Sequence, residues 1–140
     1  MIEAALVELL QNDAGVAGLV AERIYPQQLP AVPELPAITY TRISTPRRIR
    51  SHSGRSNLVA VRYQLDAWAR DSGGTPGYTG SKQLADSIVD ALEATANPSS
   101  AGHRISAAFV DNDADDLDPD REFDRVILEV TLWANETAIA

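Results

Sequence analysis

Apolar residues recur along this chain with two different periods, and each period predicts one kind of element. Near the N-terminus they follow the i, i+4, i+7, i+8 stripe of an amphipathic helix at Ile2, Leu6, Leu9 and Leu10. Asp13 precedes a second, shorter helical turn and is of the residue type that caps a helix N-terminus. Farther along, the pattern from Tyr78 to Ala96 places leucine and isoleucine four residues apart, which predicts another helix.

Four other segments alternate apolar and polar residues with a period of two, as half-buried strands do. They are residues 37–43, 58–69, 103–110 and 123–134. The predicted order is therefore α-β-β-α-β-β. Two hairpins separated by a helix indicate an α+β fold, a four-stranded antiparallel sheet with helices packed on one face. A length of 140 residues predicts one domain over 1–140.

The connecting segments differ strongly in composition. Four prolines lie between residues 26 and 36, which predicts an extended connector rather than a helix. The others are an Arg- and Ser-rich loop at 45–57, a Gly-rich turn at 72–80, an acidic loop at 111–122 and a tail at 135–140 that we expect to be frayed. Long polar loops are usually functional or disordered, so two of these connections are candidate sites.

Charge is distributed unevenly between the two halves of the chain. The formal net charge is −8, yet the first 70 residues carry eight basic and six acidic residues, and the last 70 carry four and 14. The net charge argues against general binding of nucleic acid. The asymmetry points instead to local binding of an acidic partner or to self-association.

The basic charge is concentrated in one cluster of arginines. Its members are Arg42, Arg47, Arg48, Arg50 and Arg55. Guanidinium groups pair with carboxylates and phosphates in a bidentate fashion, so the cluster is a candidate partner-binding surface. A solvent-exposed loop without a partner is the competing interpretation.

The acidic loop is the second candidate surface, with Asp111, Asp113, Asp115, Asp116, Asp118 and Asp120 as its aspartates. Positions 1, 3, 5 and 12 of a calcium-loop template match, but position 6 is Asp116 where glycine is required and the flanks read as strands. A solvated acidic hairpin loop is therefore favoured over a calcium site, and such a loop is also a candidate partner-binding surface.

The sequence does not contain an arrangement of catalytic residues. It has no cysteine, only two histidines, and no Gly-x-Ser-x-Gly elbow or His-x-x-x-His pair. The segment Gly80-Ser81-Lys82 fails the phosphate-loop spacing, because Thr75 stands where a glycine is required. We therefore expect no enzymatic activity, no cofactor and no bound metal, and no apolar run approaches the length of about 20 residues that spans a membrane.

Large apolar residues interrupt the polar face of two predicted strands. Trp68 lies on the polar face of the second strand, and Trp133 lies on that of the fourth. Such residues suggest a covered surface, so both are candidate self-association residues. Because the first half of the chain is basic and the second half is acidic, copies can pack head to tail. Head-to-tail contacts of suitable rotation close into rings.

Several segments follow one another along the chain in a characteristic order and spacing. They are Asp13-Ala-Gly-Val-Ala-Gly-Leu-Val, Arg23-Ile-Tyr-Pro, Leu35-Pro-Ala-Ile-Thr-Tyr-Thr-Arg-Ile-Ser, Val61-Arg-Tyr-Gln-Leu-Asp-Ala-Trp-Ala, Gln83-Leu-Ala-Asp-Ser-Ile-Val-Asp-Ala-Leu and Asp115-Asp-Leu-Asp-Pro, with Arg125 and Trp133 after them. With these segments, nearly the whole chain resembles the tail-completion or tail-terminator proteins of long-tailed bacteriophages. The Gly-rich segment 72–80 departs from the family's pattern.

The resemblance implies a non-enzymatic α+β subunit of a hexameric ring in the virion tail, assembled in the bacterial host cytoplasm. The ring would cap the tail tube, end its polymerisation and join the tail to the head or neck. Its partners would be other copies, the tail tube protein and a neck or head-completion protein, with genome DNA passing through the lumen without specific binding and no membrane involved. The alternatives are a nucleic-acid-binding adaptor acting through the Arg-rich loop and, less favoured, a calcium-binding module.

Overall fold

The structure is a computed structural model of the chain. It describes residues 2–31, 34–44, 50–51, 54–55, 58–71, 74, 76–93, 99–100, 103–115 and 123–135.

Three helices are present in the described chain. They are α1 (Ile2–Asn12), α2 (Ala14–Val20) and α3 (Gly77–Glu93). Asp13 caps α2 as predicted, since its Oδ1 accepts a hydrogen bond of 3.0 Å from the backbone N–H of Val16. The prediction for α3 was one residue late at its start, and residues 94–96 of the predicted helix lie outside the described residues.

Eight strands are described, of which four correspond to the predicted ones. The bounds are β1 (Ile24–Pro26), β2 (Ala37–Ser44), β3 (Arg50–Ser51), β4 (Gly54–Arg55), β5 (Leu58–Ala69), β6 (Ser99–Ser100), β7 (His103–Asp115) and β8 (Asp124–Asn135). The predicted strands are β2, β5, β7 and β8. β7 continues five residues beyond its predicted end, so Asp111 to Asp115 form part of a strand and not of a loop.

The main sheet has the order β1-β2-β5-β8-β7-β6, and β3 and β4 form a separate two-stranded sheet. The α+β class is confirmed, and the four predicted strands pair antiparallel with one another. The prediction of a purely antiparallel four-stranded sheet is wrong in detail, because β1 adds to β2 in parallel and β6 adds to β7. Strands of two or three residues are too short to show a period of two, so the pattern could not predict them.

The hydrophobic core lies between the three helices and one face of the main sheet. Val61, Tyr63 and Leu65 of β5 are buried there together with Leu6 of α1 and Ile88 of α3. The alternating residues of the strands therefore divide into a helix-covered inner face and an opposite outer face, which the rest of the description refers to by these names. Helices on one face leave the other face of the sheet for different contacts.

The Pro-rich connector is held to the fold by one arginine. Arg23 donates from Nε to the carbonyl oxygen of Pro36 at 3.0 Å and from Nη2 to that of Leu19 at 3.1 Å. Strand β1 lies just before the predicted connector and overlaps it only at Pro26; it pairs Ile24 with Ile38. The charge of Arg23 ties the end of α2 to the start of β2.

The Gly-rich segment leads into α3 through a close approach of the backbone. The N–H of Gly77 donates to Asp71 Oδ1 at 2.6 Å. A Cβ at Gly77 would lie 2.2 Å from Asp124 Oδ2 and 2.9 Å from the backbone carbon of Arg70, so only glycine fits. The described part of this segment therefore docks the helix N-terminus against the ends of β5 and β8.

Candidate functional site

The outer face of the main sheet is the first candidate surface. The buried residues of β5 and β8 alternate with partly exposed ones, and the exposed series lies opposite the helices. On β8 this series is Arg125, Ile127, Glu129, Thr131 and Trp133, and on β5 it includes Arg62, Gln64 and Trp68. The face is therefore mixed in character, with charged, polar and aromatic side chains in neighbouring rows.

A carboxylate is buried on this outer face, near its Asp124 end. Asp66 is only 4% exposed, and its Oδ2 accepts a hydrogen bond of 3.3 Å from Thr39 Oγ1. Gln64 Nε2 donates to Oδ1 at 3.0 Å, and the Arg125 guanidinium lies 3.7 Å from Oδ2. Burying a charge without such partners is costly, so this network is what allows an aspartate at this position.

Trp68 is held over the same network. Its Nε1 donates to Thr39 Oγ1 at 2.9 Å, and the Arg125 guanidinium carbon lies 4.9 Å from its ring centroid. Phe123 packs edge-on against it with ring centroids 6.4 Å apart. Contacts from three sides thus fix the indole of Trp68. Tryptophan and arginine, which lie together here, are residue types that are enriched at interfaces.

Trp133, the other predicted self-association residue, lies far from Trp68 on the same outer face. Its register partner on β5 is Ala60, whereas Trp68 lies opposite Arg125. Eight residues of β8 separate Arg125 from Trp133, a distance of about 26 Å at the rise of a strand. The structure therefore places the two tryptophans at opposite ends of one surface and does not bring them together.

Phe109 adds a large exposed apolar side chain to the Trp133 end of the outer face. It lies opposite Thr131 on β8 and is 53% exposed. A strict period of two would put Phe109 on the same face of β7 as Ile105. The register shift between Ile105 and Ala107 separates them: Ile105 lies opposite Ala134, whereas Phe109 lies opposite Thr131 of the outer face. The cause is a bulge, which inserts one residue and exchanges the sides of the residues that follow, here up to the second shift between Val110 and Asn112.

The acidic residues of β7 are divided between the two faces of the sheet. Asp111 accepts a hydrogen bond from Thr131 Oγ1, which belongs to the outer face. Asp115 lies on the helix side, where its Oδ1 is 2.6 Å from Lys82 Nζ and its Oδ2 accepts from the Tyr78 hydroxyl at 3.3 Å. Carboxylates on opposite faces of a strand cannot ligate one cation, which disfavours the calcium alternative. Asp116, Asp118 and Asp120 lie outside the described residues.

The Lys82–Asp115 pair fastens the acidic end of β7 to the first turns of α3. The hydrogen bond from Lys82 to Asp115 raises the pKa of that lysine above its usual value, and the charge of Asp115 acts in the same direction. Asp113, which is exposed, contributes a smaller effect of the same sign. The only lysine of the chain is thus committed to an internal contact.

The arginine cluster is only partly within the described chain. Arg42 is exposed near the end of β2. Arg50 and Arg55 occupy directly opposed positions in the two-stranded β3–β4 sheet. Arg47 and Arg48 lie outside the described residues.

The basic and acidic connections leave the main sheet at opposite ends. The β2–β5 connection, which contains the β3–β4 sheet, enters β5 at Leu58, opposite Asn135 of β8. The β7–β8 connection leaves from Asp115, opposite Val126, and enters β8 at Asp124. The register therefore separates the points at which the two connections leave the sheet.

Several members of the outer-face network were not singled out from the sequence. Thr39, Asp66 and Phe123 are ordinary polar or aromatic residues of three different elements. The sequence pattern could have identified part of this network, because the period of two puts Gln64, Asp66 and Trp68 on one face of β5. Pairing with Arg125 depends on the register between β5 and β8, which the sequence pattern alone does not supply.

The described residues contain neither a candidate metal site nor a candidate membrane-spanning helix. They contain no group of three or more His, Asp or Glu side chains arranged to hold a metal ion. No helix among them has both the length and the apolar character needed to cross a membrane.

Comparison with known proteins gives a family match and similar solved structures. A family model described as "Tail completion protein gp17" matches residues 4–135. Among solved structures, a chain of the "Virion of native gene transfer agent (GTA) particle" is similar with a TM-score of 0.66 and 15% sequence identity, over 93% of this chain and 91% of that chain. At this identity the likeness is one of fold. The comparison with curated proteins gives no match.

Proposed function

Because this chain belongs to the tail completion protein gp17 family, we propose that it forms the ring that closes the tail tube of a phage-like virion. The family is one of bacteriophage structural proteins, and the protein acts in the virion as a component of the tail and not as an enzyme. The observation that carries the proposal is the family match over residues 4–135. The similar fold of a chain in a gene transfer agent virion supports it.

The proposed mechanism is geometric. Copies of the chain close a ring, one face of which matches the last ring of the tail tube. The other face does not reproduce the tube surface, so polymerisation ends there and a neck or head-completion protein docks instead. Unlike ends of one subunit suit this role, since the basic and acidic connections leave the sheet in opposite directions.

The outer face supplies surfaces for such contacts. Trp68 and Arg125 are ordered before any partner binds, so little side-chain entropy is lost on association. The formal net charge of −8 disfavours strong electrostatic binding of DNA, which suits a ring through which DNA has to pass.

The test is assembly with purified tail tubes of the cognate particle. We expect negative-stain images to show rings at one end of each tube, and tubes that stop growing once the protein is added. A protein that remains strictly monomeric and has no affinity for tail tubes would contradict the proposal.

A further inference from the structure

Along most of its outer edge, β7 has no strand partner among the described residues. β8 pairs with β7 along one edge from Arg104 to Asp115. On the other edge β6 reaches only His103 and Arg104, and no other described strand pairs with β7 there. An edge of this length is a template for a strand from another chain.

The exposed side chains of this edge restrict which strand can pair with it. Asp111 and Asp113 are exposed, as are their neighbours Asn112 and Ala114. Two copies that paired this edge with itself would set carboxylates against carboxylates, which is destabilising. The charge of this edge therefore disfavours pairing with the β7 edge of another copy and favours pairing with a basic strand.

The β3–β4 sheet is a basic strand pair that lacks a third strand. It consists of two residues on each side, with Arg50 opposite Arg55 and Ser51 opposite Gly54. It does not join the main sheet. An isolated two-stranded hairpin is marginally stable, and a third strand from another chain would stabilise it. Because the residues at one register position of this pair are both arginines, a strand that carries acidic residues has the complementary charge.

Within one subunit the two features lie apart. The β3–β4 sheet is inserted before Leu58, opposite Asn135 of β8, whereas Asp113 and Asp115 of β7 lie opposite Leu128 and Val126 of β8. Six or more residues of β8 separate these positions, about 20 Å along the strand direction. The β3–β4 sheet of a second copy can reach the acidic edge of β7 without any distortion of the main sheet.

We propose that the acidic edge of β7 in one copy pairs with the arginine-bearing β3–β4 sheet of a second copy. The contact is heterologous, because different surfaces of identical subunits meet, and heterologous contacts of suitable rotation close into rings. The inference rests on the proposed ring function and names the surfaces that close the ring.

Cysteine cross-linking tests the contact directly, since the chain has no cysteine of its own. The variant carrying both Ala114→Cys and Ser51→Cys should form a ladder of disulfide-linked multimers on a non-reducing gel, ending at the ring size. Each single variant should yield nothing beyond a minor dimer. The matched control combines Ser51→Cys with Asp90→Cys, which is exposed on α3, and should yield no ladder.

Two results would separate this inference from the proposed function. Rings seen by electron microscopy without a ladder in the Ala114→Cys/Ser51→Cys variant would overturn the inference and leave the function intact. Absence of both rings and tube binding in the unmodified protein would overturn the function and the inference with it.

Charge reversal provides a second measurement. Asp113→Arg should raise the concentration needed for ring formation by about tenfold or more, because one like-charge contact opposes each interface. Adding Arg55→Asp to the same chain should restore assembly in part. Asp90→Arg makes the same change of charge on α3, and equal effects of Asp113→Arg and Asp90→Arg would contradict the proposed contact.

Discussion

Asp66 shows how much one residue depends on neighbours that are distant in sequence. It is a carboxylate on the face of the sheet opposite the helices, where the strand pattern alone predicts an exposed position. Thr39, Gln64 and Arg125 surround it instead, and Trp68 covers Thr39. The buried aspartate therefore organises the aromatic and cationic part of the outer face.

We expect Asp66→Ala to destabilise the protein by about 2 kcal/mol or more, because it leaves Thr39 and Arg125 without their shared acceptor. Urea unfolding measures the change. Asp90→Ala on the exposed side of α3 is the matched control and should stay within about 0.5 kcal/mol of the parent. Equal stability of the two variants would show that the network contributes nothing.

Tyr63 gives the protein a defined sensitivity to alkali. Burial raises its pKa well above the ordinary value of 10.0, and the charge of Glu3 adds to the shift; Tyr40 is shifted in the same direction by the same two causes. Above pH 10 the unfolded chain loses these protons while the folded chain keeps them. Stability is therefore complete below about pH 10 and falls as the pH rises further.

The prediction is a decrease in Tm between about pH 10 and 11 that Tyr63→Phe reduces. Loss of the Lys82 proton, whose pKa is also raised, contributes a part of the decrease that Tyr63→Phe leaves in place. Tyr25→Phe, a change on the edge strand β1, is the control. If the Tm of Tyr63→Phe and the Tm of Tyr25→Phe both fall with rising pH as steeply as that of the parent, ionisation of Tyr63 does not explain the loss of stability.

At the scale of elements, the ends of the long periodic strands were predicted to within one residue, except the C-terminal end of β7. β5 has the predicted bounds, and β8 differs by one residue at each end. β7 extends to Asp115 because β8 offers backbone partners along its whole length, which outweighs the low strand propensity of aspartate. Lys82 and Tyr78 then hold the end of β7 against α3.

The start of α3 is the most sterically restricted junction between elements. Gly77→Ala should destabilise the protein by about 1–3 kcal/mol, because the new methyl group would overlap Asp124 and the backbone at Arg70. Gly18→Ala in α2 is the matched control, since no atom lies within 4 Å of its added Cβ. Thermal unfolding of both variants measures the difference, and a neutral Gly77→Ala would contradict the close packing at this junction.

For the whole molecule, the separation of charge matters more than its sum. The basic β2–β5 connection and the acidic β7–β8 connection leave opposite ends of the same sheet. A subunit with unlike ends can bind its own copies in one direction or two different partners along an axis. Both arrangements suit a ring component of a tail.

The nucleic-acid adaptor alternative makes an opposite prediction about DNA. With a net charge of −8, we expect no measurable binding of double-stranded DNA at physiological ionic strength. Fluorescence anisotropy with a labelled duplex at increasing salt provides the measurement. Tight binding that weakens steeply with salt, and that Arg42→Glu abolishes, would favour the adaptor over the ring.

The sequence by itself determined the main elements, the α+β class, the inner faces of β5 and β8 and the family. These depend on local periodicity and on an ordered series of segments, both of which can be read along one chain. Tertiary structure alone decided the addition of β1 and β6, the bulges that turn Phe109 outward, and the meeting of Asp66 with Arg125. It also decided that the Arg-rich and acidic connections leave the sheet at opposite ends. The physical reason is that strand register and sheet order arise from long-range pairing, and a shift of one residue exchanges the two faces of a strand without changing the sequence pattern.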